Sequence, residues 1–395
     1  MNGAERLNLD MLPEVAVKPE FTQRQPERHH LFGRAVLRTT GMLLASAAVL
    51  GLYEYQADVT EVKQQLTNTH PYIIENSGVP SSNPLPSPIH RNVYESLQGE
   101  DRLYADNLRQ VTRMAVVNMP GFNLVETYQA NKVLSSFDSI GANWSVHYDN
   151  KGIDTHIIAQ EIVDKAHHDN ISDVGLYADS MGTIIESRVA VEIERIAPDI
   201  NIPFIVMDSP AVGLQVLRPK SKSDGYALLD GIKLPGAEYS RYARLGAEMY
   251  LRIDKIHDID SLIREFNEVH DQVFGNHDLP ANSLLAEQFQ MIVNSNVEAN
   301  LAELGRLKPS DRPIIIFMGA AHASADDVVN TPESLKLVQK WTKQAGLTLI
   351  GPYGIENFYH GAQYRSKQEY RRIFGQEIIP GIISSLSEGQ LESRG

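Results

Sequence analysis

Cysteine is absent from all 395 residues of this chain. That removes disulfides, thiolate metal sites, a cysteine nucleophile and a lipidated N-terminal cysteine together. It does not fix the compartment, because exported and cytosolic chains alike can lack it. Long basic runs are also missing, and the formal net charge is −14. A nucleic-acid binder is therefore excluded as the leading reading. No His-Glu-x-x-His segment is present, and no internal repeat is visible. Apolar content is 42%, enough for a sizeable globular core.

A fully membrane-spanning apolar run is also short of its usual length. From Thr39 to Tyr53 there is no charge, a stretch of about 15 residues where a bilayer core needs roughly 20. Adding Ala35 to Arg38 brings it near that length, with Arg38 reaching the headgroups. Arg24, Arg28, Arg34 and Arg38 precede the run, and Glu54, Asp58 and Glu61 follow it. The spacing predicts an uncleaved anchor over residues 35–55, with the N-terminus inside and the bulk of the chain extracytoplasmic. A cleaved signal peptide, with Ala45-Ser-Ala47 as the cut, and a buried soluble helix are the competing readings. Residues 1–34 are polar, with Pro13, Pro19 and Pro26, and read as a disordered cytoplasmic tail. Residues 56–105, with the Pro/Ser-rich run from Ser77 to Pro88, read as a stalk.

From about residue 111 onward, apolar strand runs alternate with helix-period segments. Strands are expected at Met114–Asn118, Trp144–Tyr148, Val174–Ala178, Pro203–Asp208, Pro313–Met318 and Leu347–Ile350, with a helix from Thr155 to His167. This order predicts an α/β domain over 106–395, a mainly parallel sheet with helices on both faces. The stretch from about 211 to 310 has helical character and no strong strand. It is expected to be a helical cap inserted before the penultimate strand.

The most specific signal is Ala178-Asp-Ser-Met-Gly182 between a short apolar run and a helical segment. A serine on a sharp strand-to-helix turn needs small residues two before and two after it, and Ala178 and Gly182 supply them. Such a turn exposes the Ser180 hydroxyl and aims the Met181 amide and the helix dipole at the same spot. An ordinary strand–turn–helix containing a serine is the bland alternative.

With these segments in this order, the chain resembles the α/β-hydrolase fold family over roughly residues 110–375. Val146-His-Tyr-Asp-Asn-Lys-Gly152 is similar to the family's strand-plus-Asp-x-Arg-Gly segment, with Lys151 in place of Arg. Ala178 stands where Gly is commoner, and Pro120-Gly-Phe122 stands where the family has His-Gly-x. The resemblance implies a Ser…Asp/Glu…His triad. It assigns the base to His360, after the last strand, and the acid to Asp326, with Asp327 as runner-up and Asp208 as a third candidate. His322 occupies the place a shorter loop would give the acid. The oxyanion donors it implies are the amides of Phe122 and Met181. Neither a cofactor nor a metal is implied. The expected activity is hydrolysis of an ester, thioester or amide, with a small-molecule ester, lipid or peptide as substrate. The alternatives are a membrane-tethered binding protein of the same fold without catalysis, and a metal hydrolase built on His322, Asp326, Asp327 and His360. Tyr239, Tyr242 and Tyr250 of the cap have helical spacing and read as packing residues.

Overall fold

The computed structural model describes residues 59, 71–75, 114–122, 137, 140–149, 152–232, 237–275, 281–322, 325–355, 360 and 367–384. All lie within one compact unit, Ala57–Gly395. The segment expected to be a membrane anchor, and the tail before it, fall outside the described residues. Among the described residues no helix is long and apolar enough to cross a membrane.

Among the described residues, seven strands form one sheet: β1 (Tyr72–Glu75), β2 (Met114–Met119), β3 (Ala142–His147), β4 (Asp173–Asp179), β5 (Phe204–Asp208), β6 (Ile314–Ala320) and β7 (Leu349–Ile355). Their spatial order is β1-β3-β2-β4-β5-β6-β7. β1 runs antiparallel to β3, with Tyr72 opposite His147, and every other pairing is parallel. β1 lies inside the span expected to be a stalk, residues 56–105, of which only residues 59 and 71–75 are described. Four residues inside that span, far upstream of the apparent domain start, pair with the sheet edge. The other strands fall where the apolar runs predict, with ends displaced by a few residues.

The central strands are apolar throughout because both faces are covered. Alternation still decides which side chain meets which layer. Met114 and Val116 of β2 join one core, and Ala115, Val117 and Met119 join the other. In β6, Ile314, Ile316 and Met318 go one way, Ile315 and Phe317 the other. The larger layer holds α1 (Thr155–Asp169) and α2 (Gly182–Ile196). Asp154 caps α1 by accepting from the amides of His156 and Ile157, and Asn170 ends it in the left-handed conformation.

The described residues between β5 and β6, where a helical cap is expected, are mostly helical. They form α3 (Pro219–Ile232), α4 (Arg241–Leu251), α5 (Ile259–Gly275), α6 (Asn282–Val293) and α7 (Val297–Leu307). α8 (Thr331–Ala345) follows β6. A C-terminal segment, α9 (Lys367–Ile373), continues through a π-helical turn, Phe374–Ile378. Tyr370, Phe374, Ile378 and Ile382 from this segment fill the smaller core layer against Tyr177 and Phe204. Of the tyrosines expected to pack, Tyr242 is 41% exposed and sets its ring 5.2 Å from that of Phe274, and Tyr250 is 60% exposed.

Candidate active site

Ser180 lies at the end of β4, one residue before Met181, which caps the start of α2. Its backbone has φ +54°, a left-handed conformation that costs a serine steric strain. Three bonds hold it there. The Ser180 amide donates to the Asp208 carbonyl at 2.8 Å, and the Ser180 carbonyl accepts from Ala211 at 3.1 Å and Thr183 at 3.3 Å. The small residues at the turn have a measurable reason. A Cβ on Gly182 would lie 2.7 Å from the Pro120 carbonyl oxygen and 2.8 Å from that of Met119. A Cβ on Gly121 would sit 3.1 Å from the Asp179 carbonyl oxygen. The Pro120-Gly121-Phe122 turn therefore packs directly on the elbow. Tyr148 fastens that turn from behind, its hydroxyl donating to the Pro120 carbonyl at 2.9 Å. Burial first, then the charges of Glu186 and Asp179, keep the Tyr148 phenol protonated far above its ordinary range.

His360 follows β7 and faces the serine. Its Nε2 is 2.7 Å from Ser180 Oγ, and its Nδ1 is 3.1 and 3.2 Å from the two carboxylate oxygens of Asp326. Asp326 follows β6 and is 1% exposed. Its Oδ1 also accepts the amides of Val328 at 2.9 Å and Val329 at 2.8 Å. The acid loop is anchored to the entry of the cap. Arg218 donates through its amide to the Val328 carbonyl and through Nε to the Asp326 carbonyl. Asp327 is exposed, as is His322, so the geometry joins neither to His360. Asp208 is buried at the end of β5, and its side chain is engaged elsewhere. Tyr177 donates to its Oδ2 at 2.7 Å, Tyr370 donates to the same oxygen, and Ser209 donates to Oδ1 at 3.0 Å.

Burial alone would lower the His360 pKa. The hydrogen bond and charge of Asp326, with the charges of Asp179 and Asp208, outweigh it and raise the pKa above the usual imidazole value. The charges of three buried carboxylates thus act on one imidazole, and Asp326 alone is hydrogen-bonded to it. That arrangement favours a histidine that takes a proton from the serine and holds it as a cation. Among the described residues, no three His, Asp or Glu side chains converge as metal ligands.

Sequence reasoning missed two parts of the site. Glu186, in the second turn of α2, is fully buried, and among the described residues neither carboxylate oxygen has a hydrogen-bond partner. Tyr370 reaches Asp208 across 162 residues of sequence, and no local pattern marks it.

The sheet order, a serine elbow after the fourth strand, an acid after the sixth and a histidine after the seventh define the α/β-hydrolase fold. No protein-family model and no curated protein matches the chain. Solved structures do. A monoacylglycerol lipase from Paleococcus ferrophilus aligns with 68% of this chain and 94% of its own, at 17% identity and a TM-score of 0.41. A 2-hydroxy-6-oxo-6-phenylhexa-2,4-dienoate hydrolase from Rhodococcus sp. strain RHA1 aligns with 66% of this chain and 89% of its own, at 16% identity and a TM-score of 0.40. A bacterial membrane phospholipase A aligns with 88% of this chain and 99% of its own, at 12% identity and a TM-score of 0.45. At such identities the chemistry has to be argued from this chain's own residues.

Proposed function

We propose that the protein is a serine hydrolase acting through an acyl-enzyme on Ser180. The observation that carries this reading is the unbroken hydrogen-bond chain from Ser180 Oγ through His360 to Asp326, with the serine held in a strained backbone turn. His360 Nε2 takes the hydroxyl proton as Oγ attacks a carbonyl carbon. The amides of Phe122 and Met181 receive the negative charge that develops on the carbonyl oxygen. His360 then passes the proton to the leaving alcohol, thiol or amine, and the bond to that group breaks. Water repeats the cycle: its proton goes to His360, its oxygen bonds to the acyl carbon, and Ser180 leaves with the proton. Asp326 keeps the imidazole oriented and stabilises its charged form. The reaction balances with no cofactor. The substrate is a small ester, lipid or peptide-like carbonyl compound, and fold does not narrow it further.

The test is labelling of the full chain with a fluorophosphonate probe, followed by peptide mapping. The expected result is one adduct, on Ser180, lost in Ser180→Ala and His360→Ala variants that melt like the parent. A folded protein that takes no label would instead be a binding protein of this fold. From charge and hydropathy we also infer that residues 35–55 anchor the chain in a membrane, with the domain extracytoplasmic. Release of the full chain from membranes by alkaline carbonate, without detergent, would refute that placement.

A further inference from the structure

Asp208 stands at a crossing that the proposed reaction leaves unused. Its backbone carbonyl accepts the Ser180 amide, while its side chain accepts hydroxyls from Tyr177, Tyr370 and Ser209. Tyr177 is on the strand that leads to Ser180, and Tyr370 is on α9, ten residues beyond His360. One carboxylate thus ties the strand carrying the nucleophile to the segment that follows the base. Burying an unpaired charge is costly, and three donors aimed at one carboxylate are the arrangement that makes the ionised form tolerable.

Resting on the hydrolase reading above, we propose that Asp208 is a positioning residue, a buried strut that sets the base-bearing segment through Tyr370 and ties it to the strand that carries Ser180. It acts through Tyr370 and through space, and does not touch the reacting atoms. Its reach to His360 is electrostatic: the charges of Asp208 and Asp179 add to that of Asp326 in raising the imidazole's proton affinity. Burial pushes the Asp208 carboxyl itself upward, opposed by Tyr370, Tyr177, Ser209 and the charge of His360. The charged groups that act on His360 are Asp326 from the loop after β6, Asp179 from β4 and Asp208 from β5. The groups that act on Asp208 are Tyr177, Tyr370, Ser209 and His360. Ser209 follows with φ +47°, so the chain leaves Asp208 through a second strained residue, its amide bonded to the Met318 carbonyl at 2.9 Å.

The experiment uses the full chain and two readouts. One is the rate of fluorophosphonate labelling of Ser180 against pH. The other is the His360 titration followed by NMR on histidine-labelled protein, assigned by difference with His360→Gln, which needs no turnover. In Asp208→Asn the His360 midpoint and the acid limb of labelling are expected to move to lower pH together, by about half a pH unit. Labelling at the optimum should slow about tenfold, as expected when a base is slightly misplaced. Asp326→Asn, by contrast, should slow it about a thousandfold. If Asp208→Asn does not fold, Tyr370→Phe removes one donor and nothing larger, and should slow labelling at least threefold. An unmoved His360 midpoint in Asp208→Asn, or parental labelling in Tyr370→Phe, overturns the proposal. So does a loss in Asp208→Asn equal to that in Asp326→Asn, which would put Asp208 in the proton relay itself. Should the parent protein take no label, the hydrolase reading fails, and the NMR midpoint still decides whether His360 feels Asp208.

Discussion

Replacing Glu186 should make the protein more stable. The residue faces the interior from α2, with 0% exposure and no hydrogen-bond partner for either oxygen. Thr183, one turn earlier, carries a buried hydroxyl that is likewise unpartnered. Burial is the cause that lifts the Glu186 carboxyl well above the usual carboxylate range. The polar atoms of Glu186 that are left unsatisfied cost about 1–3 kcal/mol. Glu186→Met fills a similar volume without those atoms and should recover that amount. For a domain of this size it corresponds to a rise in melting temperature of roughly 2–10 °C. The sign of the pH dependence is fixed by linkage. The folded value is raised above the unfolded one of about 4.3. The folded state therefore holds its proton more tightly, and the stabilising contribution is complete below the unfolded value. It is lost as pH rises toward and through the folded value. Glu186→Gln is isosteric with the acid and cannot ionise, so it should melt with the parent near pH 4 and increasingly above it as pH rises. Differential scanning calorimetry of the three proteins from pH 4 to 9 reads both effects. A Glu186→Met protein that melts below the parent at pH 8, or a gap to Glu186→Gln that ignores pH, would refute the reasoning.

Other substitutions test the site itself. Gly182→Val would drive a side chain into the carbonyls of Met119 and Pro120, and should reduce soluble yield or cut probe labelling more than a hundredfold, read on the soluble fraction. Asp326→Asn should cost about a thousandfold or more in labelling rate, and Asp327→Asn, at an exposed position, less than twofold. Because His360 is raised above the ordinary imidazole value, it is protonated and idle over a wider acidic range. Labelling should therefore climb with pH along a limb whose midpoint lies above about 6.5, and a midpoint below 6 would contradict the three-carboxylate environment.

The turn at Ser180 was legible because everything it needs is contiguous: an apolar strand, a serine between small residues, and a helix that starts at once. The helices between β5 and β6 were legible for a similar reason, as a long helix-period stretch where the strand rhythm stops. Asp326 was harder to single out. Its neighbour Asp327 has the same chemistry, and only the fold decides which of the two turns inward onto the amides of Val328 and Val329. Asp208 drew notice as an acid at a strand end, but its partner Tyr370 belongs to a helix 162 residues away. Glu186 reads in sequence as one more charge on an amphipathic helix. Its burial follows from both sides of α2 being covered, since α2 packs on the sheet and its Ser187 hydroxyl accepts from Asn300 of α7. β1 escaped notice because four residues paired antiparallel at an edge carry little periodicity of their own.

That short edge strand bears on how the protein can be cut. Shortening the chain to begin near residue 106, where the alternating pattern becomes obvious, would delete β1 and strip β3 of its outer neighbour. The Ala142–His147 backbone would then present an open row of donors and acceptors, a template for the β3 of another molecule. A fragment trimmed there is set up to stick to its own kind, whereas one that begins before Pro71 keeps the sheet margin occupied.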